Sequence, residues 1–101
     1  MTDYTSSWLR QILVDLNELY IGATIVESEC GYGCSDHASW YRQGYPTLMP
    51  FESSMNSMSK VIHTEQDVPS DRTSYVHATM FSKIAVAFAL ELANSDVRQP
   101  Y

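Results

Sequence analysis

Two cysteines, Cys30 and Cys34, enclose the tripeptide Gly-Tyr-Gly and form the first candidate site for chemistry. A C-x3-C pair with no other Cys or His close by is incomplete as a zinc site, which takes four ligands. The pair also lacks the CxxC spacing of redox enzymes. A disulfide across a tight glycine-flanked turn is the favoured interpretation, and two unrelated thiols are the alternative. A bridge would indicate an oxidising compartment.

Three histidines, His37, His63 and His77, are the other residues able to bind a metal or move a proton. A lone His is more often a structural residue than a ligand, and we assign His37 and His77 no chemistry. His63 differs because it ends a long polar stretch and Asp67 follows it, which could orient its second ring nitrogen. The chain contains no HExxH motif, and no Ser–His–Asp set can be placed by spacing.

Composition limits the class of protein. The chain has 101 residues, 45% of them hydrophobic, and a formal net charge of −6. That length allows one small domain at most, and the apolar fraction is too high for disorder. An acidic chain without a basic run is not expected to bind nucleic acid or an anionic membrane surface. We also expect neither a membrane span nor a signal peptide in these residues.

Hydrophobic periodicity predicts the elements that must position these residues. A helix is expected over Trp8–Tyr20, capped by Thr5 or Ser6 and ended by Gly22, and a second one from Ser35 to Gly44. β-branched composition predicts a strand over Ala23–Glu29. The remaining predictions are a strand over Tyr45–Phe51, a loop over 52–73 and a last helix over Ser74–Asn94. The order helix, strand, helix, strand, helix predicts the α/β class.

The predicted elements do not make a complete domain. Residues Ile84–Leu90 of the last helix are apolar on every side, which requires burial all round. Two strands do not make a stable parallel sheet, which needs cover on both faces. We therefore expect residues 1–101 to be a partial domain, or a chain that must associate.

Several runs resemble the secreted bacterial leucyl aminopeptidases. The runs are CGYGCSDHASW at 30–40, Gly44-Tyr45-Pro46, MPFES at 49–53, and Ile62-His63-Thr64 with Asp67. These enzymes are co-catalytic di-zinc metallopeptidases related to glutaminyl cyclases and glutamate carboxypeptidases. The resemblance covers residues 3 to 94 and implies the C-terminal third of a three-layer α/β catalytic domain with a mixed sheet.

The resemblance also implies roles for individual residues. His63 would be a terminal zinc ligand, with Asp67 behind it, and the remaining ligands of two zinc ions would lie upstream. Tyr32 would help to stabilise the developing oxyanion, which is where a well-placed donor accelerates the reaction. A Cys30–Cys34 disulfide and the side chains of Met49, Phe51 and Ile62 would form the pocket wall. Met55 and Met58 stand where the best-known type has aromatics, so we expect an apolar pocket of altered width.

The function implied is a zinc-dependent aminopeptidase that cleaves after an apolar N-terminal residue. This chain would supply the substrate pocket and one metal ligand, and its partners would be a peptide or amino-acyl substrate and the rest of the domain. The alternative is a non-catalytic fragment that acts by binding, by inhibition or by assembling with a separate upstream fragment. Self-association is the alternative to the rest of the domain as a partner. The family and the disulfide together favour a secreted or periplasmic protein.

Overall fold

The fold consists of three α-helices joined by long irregular segments. A computed structural model describes residues 1–96 and places α1 at Ser7–Leu16, α2 at Asp36–Arg42 and α3 at Tyr75–Asn94. A π-helical turn, Asn17–Ile21, continues α1, and a single 3-10 turn occupies Met55–Ser57. The three predicted helices are confirmed, whereas the 3-10 turn lies inside the region predicted as loop.

The first helical segment ends as the sequence predicts but begins differently. Gly22 closes it in the left-handed conformation (φ 74°), which glycine adopts without steric cost. Before that point the buried side chain of Asn17 forms two hydrogen bonds with the main chain of Ala23, at 2.7 and 3.1 Å. At the other end, Ser6 occupies the N-cap position, but its hydroxyl accepts the Thr47 N–H (3.1 Å) instead of a helix N–H.

The predicted strands at 23–29 and 45–51 do not form, so the α/β prediction was wrong: residues 1–96 contain no strand and no sheet. A strand requires a repeated ladder of backbone bonds with a neighbour. Here each segment instead makes isolated bonds to residues 1–6. Thr2 N–H donates to the Ser28 carbonyl (2.9 Å), and Ser6 N–H donates to the Thr47 carbonyl (2.9 Å).

Backbone chemistry explains why the second segment does not extend into a ladder. Pro46 and Pro50 have no N–H to donate. The N–H of Thr47 is already used by the Ser6 hydroxyl, and the hydroxyl of Thr47 donates to the carbonyl of Tyr4 (2.7 Å). Two prolines and a Thr47 whose N–H is already bonded therefore leave this segment too few free backbone groups to form a ladder.

The core of the described chain is small. The buried side chains are Leu9, Leu16 and Ala38 together with the polar Thr5, Asn17, His37 and Thr47. α3 packs against α1 and the π-helical turn, yet it has no buried residue. The helix is also long and apolar enough to cross a membrane, with a mean hydropathy of 1.4 over its best window. The core helix of a larger domain meets the same criterion, so length and composition alone do not assign α3 to a membrane.

Candidate substrate pocket and metal-ligand turn

The turn between the two cysteines is closed covalently. Cys30 and Cys34 form a disulfide, with their Cα atoms 6.1 Å apart, which confirms the predicted bridge. Gly31 adopts a left-handed backbone (φ 83°), and the N–H of Cys34 donates to the carbonyl of Tyr32 (2.8 Å). Tyr32 thus lies at the tip of a ring of five residues, and its side chain is 61% exposed.

Asp3 anchors this turn from the other end of the sequence. Its carboxylate accepts hydrogen bonds from the N–H of Cys30 (3.1 Å) and the N–H of Gly31 (2.9 Å). Desolvation by partial burial opposes the charged form of the carboxylate, but these two donors, with the N–H of Asp3 itself and the nearby His37, outweigh it and lower the pKa of Asp3 below its ordinary value. Sequence reasoning missed this residue, because its partners are main-chain groups that carry no residue signature.

Met49 and Phe51 line a cavity of about 200 Å³. Both residues are half-buried, and Met80, Phe81 and Ile84, from the first half of α3, line the same cavity. The segment 23–28 and residues of α1 complete the lining. The structure therefore brings together two of the predicted pocket residues on one largely apolar surface.

The other predicted pocket residues lie outside this cavity. Met55 begins the 3-10 turn and Met58 follows it; both are half-buried, and Ile62 is partly exposed. The N–H of Met55 donates to the hydroxyl of Ser28 (3.1 Å), and the N–H of Ser59 donates to Glu52 Oε1 (3.0 Å). The loop that carries both methionines is thus tethered near its middle and at its end.

His63 lies in an exposed turn with an unusual backbone. Its φ is 64°, in the left-handed region that non-glycine residues seldom adopt. The carbonyl of Val61 accepts hydrogen bonds from both the N–H and the hydroxyl of Thr64, and the N–H of Asp67 donates to Thr64, so the turn is internally bonded. Strained backbone of this kind clusters at functional sites.

The structure does not complete a metal centre around His63. Within residues 1–96, no three His, Cys, Asp or Glu side chains come together in a way that could hold a metal ion. No hydrogen bond joins the Asp67 carboxylate to the His63 ring, so the predicted orienting role of Asp67 stays a prediction. His63 is positioned as one exposed imidazole, which fits a single ligand and not a whole site.

The other two histidines occupy different environments. His37 is buried on α2, at 8% exposure, with its ring edge against Tyr4 (6.4 Å between centroids), and neither ring nitrogen has a hydrogen-bond partner in the described chain. His77 lies in the first turn of α3, where its Nε2 is 3.1 Å from the main-chain oxygen of Glu52. No role for His77 was predicted from the sequence, although His77 also lines the cavity of Met49 and Phe51.

Comparison with known proteins defines the class. The model of peptidase family M28 matches residues 1–93. The chain therefore belongs to peptidase family M28, which confirms the family resemblance drawn from its motifs.

Individual members of the family that are similar to this chain are aminopeptidases. The chain is 42% identical over 94 residues to leucine aminopeptidase 1 of Aspergillus niger, and 39% identical over 93 residues to that of Aspergillus fumigatus. Among solved structures it is similar to the Legionella pneumophila LapA aminopeptidase, with a TM-score of 0.86 and 46% identity over 93% of this chain. The chain spans about a quarter of the length of these proteins, 24% and 25% respectively.

Proposed function

We propose that the protein to which this chain contributes is a zinc-dependent aminopeptidase that hydrolyses the bond after an apolar N-terminal residue. The observation that carries the proposal is the similarity of 92% of this chain to leucine aminopeptidases. Because the chain spans a quarter of such proteins, we assign it part of the site: the substrate pocket and one metal ligand.

His63 is the ligand that we propose. Its imidazole is exposed, and its left-handed backbone is the kind of strain that persists when function requires a fixed side-chain direction. A catalytic zinc takes three protein ligands and an open position, so the other ligands must come from residues outside the described chain. When bound, the metal supplies Lewis-acid polarisation of the scissile carbonyl.

Tyr32 is the donor that we propose for the oxyanion that develops on that carbonyl. Its hydroxyl is at the tip of a turn held by the Cys30–Cys34 disulfide and by the carboxylate of Asp3. Stabilisation of this kind depends on a donor that is fixed before the reaction, because reorienting a donor during the reaction costs energy. The double attachment of the turn supports the assignment.

The apolar side chains of Met49 and Phe51, with Met55, Met58 and Ile62, form the proposed binding pocket for the substrate's first side chain. Supporting this, Met49 and Phe51 line one cavity together with residues of α3. Met55 and Met58 are unbranched and adaptable, which suits a pocket wall that accepts side chains of more than one shape. The disulfide of the adjacent turn supports a secreted or periplasmic location.

The remainder of the peptidase domain is the partner that we propose for this chain. α3 exposes large apolar side chains along its length, including Val76 (73% exposed) and Leu90 (58%), and Leu19 and Tyr20 of the π-helical turn are exposed beside it. A surface of this kind is unusual on a protein that functions alone. It also supports the second candidate function, a non-catalytic fragment that acts by assembling with an upstream fragment.

A chimera separates the two candidates. In the LapA chimera, the matching quarter of the Legionella aminopeptidase is replaced by this chain. We expect the chimera to hydrolyse leucyl-anilide, and the 101-residue chain alone to be inactive and to hold no tightly bound zinc. A folded but inactive chimera that binds both metals would favour the non-catalytic fragment.

A further inference from the structure

Glu52 is attached to the rest of the molecule at two points. Its side-chain Oε1 accepts the N–H of Ser59 (3.0 Å), and its main-chain oxygen is 3.1 Å from Nε2 of His77. A carbonyl oxygen can only accept, so the hydrogen in the second contact belongs to the imidazole. One residue therefore links the start of the 52–59 loop to the end of that loop and to α3.

The imidazole of His77 is itself held in place. The main-chain N–H of His77 donates to the hydroxyl of Ser74 (3.1 Å), the capping residue of α3, which fixes the residue in the first turn of the helix. Its ring packs against the ring of Phe81, one turn further along the helix, with 5.2 Å between centroids and a tilt of 57°. The ring nitrogen that contacts the Glu52 carbonyl thus belongs to a residue fixed on α3, the longest helix of the described chain.

The loop that begins at Glu52 carries the two methionines of the proposed pocket. Glu52 directly follows Phe51, and the loop continues through Met55 and Met58 to Ser59. Three of its attachments are the His77 contact at the start, the Ser28 hydroxyl on the Met55 N–H in the middle, and the Glu52 carboxylate on the Ser59 N–H at the end, and Lys60 Nζ also lies 3.5 Å from the Met55 carbonyl oxygen. Of these three, only the His77 contact reaches α3.

We propose that His77 is a positioning residue that fixes the 52–59 loop on α3 through the Glu52 carbonyl, and so sets the width of the substrate pocket. The inference rests on the proposed function, because it assigns the loop to that pocket. His77 does not touch the scissile bond in this account. Its effect therefore belongs in substrate binding and selectivity, not in the rate of the chemical step.

The test uses the LapA chimera with three variants. His77→Leu removes the donor but keeps an apolar side chain on Phe81, whereas His77→Gln keeps an N–H donor near the position of Nε2. Ser82→Ala is the matched control, because it removes a hydrogen bond on the same helix, from the Ser82 hydroxyl to the Ala78 carbonyl (3.4 Å), which does not involve the loop.

Hydrogen exchange tests the position of the loop, and steady-state kinetics tests its role in the substrate pocket. For His77→Leu we expect hydrogen exchange of the amides in 53–59 to become about five-fold faster, the size that loss of one net hydrogen bond predicts. We also expect KM for leucyl-anilide to rise by a similar factor, the preference for leucyl over phenylalanyl substrate to change, and kcat to stay within about two-fold. His77→Gln should recover most of both effects, and Ser82→Ala should show neither.

Unchanged exchange in His77→Leu would overturn the positioning role. Faster exchange with unchanged KM and selectivity would overturn the link between the loop and the pocket. If exchange accelerates while no version of the chimera hydrolyses any aminoacyl-anilide, the positioning of the loop stands and the proposed function fails. Should His77→Leu not fold, His77→Ala takes its place, because it also lacks the donor and is predicted to show the same faster exchange and higher KM, and unchanged exchange in it would overturn the positioning role.

Discussion

The carboxylate of Asp3 accepts a hydrogen bond from the N–H of Gly31 at 2.9 Å, across 28 residues of sequence. Together with the neighbouring bond from the Cys30 N–H, it attaches the disulfide turn to the segment that leads into α1. The turn carrying Tyr32 is therefore positioned by a covalent bond within it and by a charged acceptor outside it.

Removing the charge at Asp3 should weaken the fold in a pH-dependent way. The pKa of Asp3 is lowered in the folded chain, so its contribution is present above the ordinary carboxyl pKa, about 3.9, and is lost as the pH falls through the lower folded value. We expect Asp3→Asn to destabilise the LapA chimera by about 1 kcal/mol at pH 7, with the difference shrinking below pH 4. Unfolding measured in denaturant at several pH values checks this. A pH-independent difference would contradict it.

The Cys30–Cys34 disulfide should be detectable by its lack of free thiols and by its contribution to stability. Thiol titration of denatured, unreduced chain should find no free thiol, because Cys30 and Cys34 are bonded to each other. In the LapA chimera, the double substitution Cys30→Ser and Cys34→Ser should lower the free energy of unfolding by about 2 kcal/mol, the value that the loop-entropy relation gives for so short a ring. Two free thiols in the untreated chain would show that the bridge does not form.

The exposed apolar surface of α3 predicts how the 101-residue chain behaves by itself. With no buried residue on that helix among those described, the chain should associate or bind a hydrophobic dye at micromolar concentration. Light scattering and dye fluorescence measure this directly. A dye-silent monomer with a cooperative unfolding transition would mean that the chain is complete without the rest of the domain.

Phe51 should contribute to binding and not to the chemical step. Phe51→Ala in the LapA chimera removes apolar contact in a wall that Phe51 shares with α3. We expect KM for leucyl-anilide to rise about ten-fold with kcat within about two-fold, since the lost contact is common to ground and transition states. Steady-state kinetics gives both constants. A fall in kcat at constant KM would instead place Phe51 next to the reacting atoms.

Local sequence signals predicted the helices well and the strands poorly. The apolar period of α1, the left-handed Gly22 and the Ser74 cap are all encoded within one or two turns of chain. Strands depend on partners elsewhere, and the segments 23–29 and 45–51 make isolated bonds, such as those to residues 1–6, instead of a ladder with a neighbouring strand. The composition of a segment does not reveal whether a neighbouring strand is available to pair with it.

The candidate site was predictable only in part, for the same reason. The Cys30–Cys34 turn predicted the disulfide, which is confirmed, and the motif resemblance predicted roles for His63 and Tyr32, which stay predictions, because these residues themselves carry the signature. The contacts of Asp3 with the Cys30–Cys34 turn and of His77 with Glu52 were not predictable, since each ends on a main-chain atom more than 20 residues away. Such atoms are present in every residue, so the sequence gives no indication of which one is used.

We propose that His63 holds one of two metals in the complete domain, and zinc content measured together with turnover tests this role most directly. The LapA chimera should contain two zinc ions and hydrolyse leucyl-anilide. His63→Ala should lose one of them and reduce turnover by about a hundred-fold or more, with little change in unfolding of the metal-free protein, because His63 is exposed. A His63→Ala chimera that keeps both metals and full turnover would contradict the assignment.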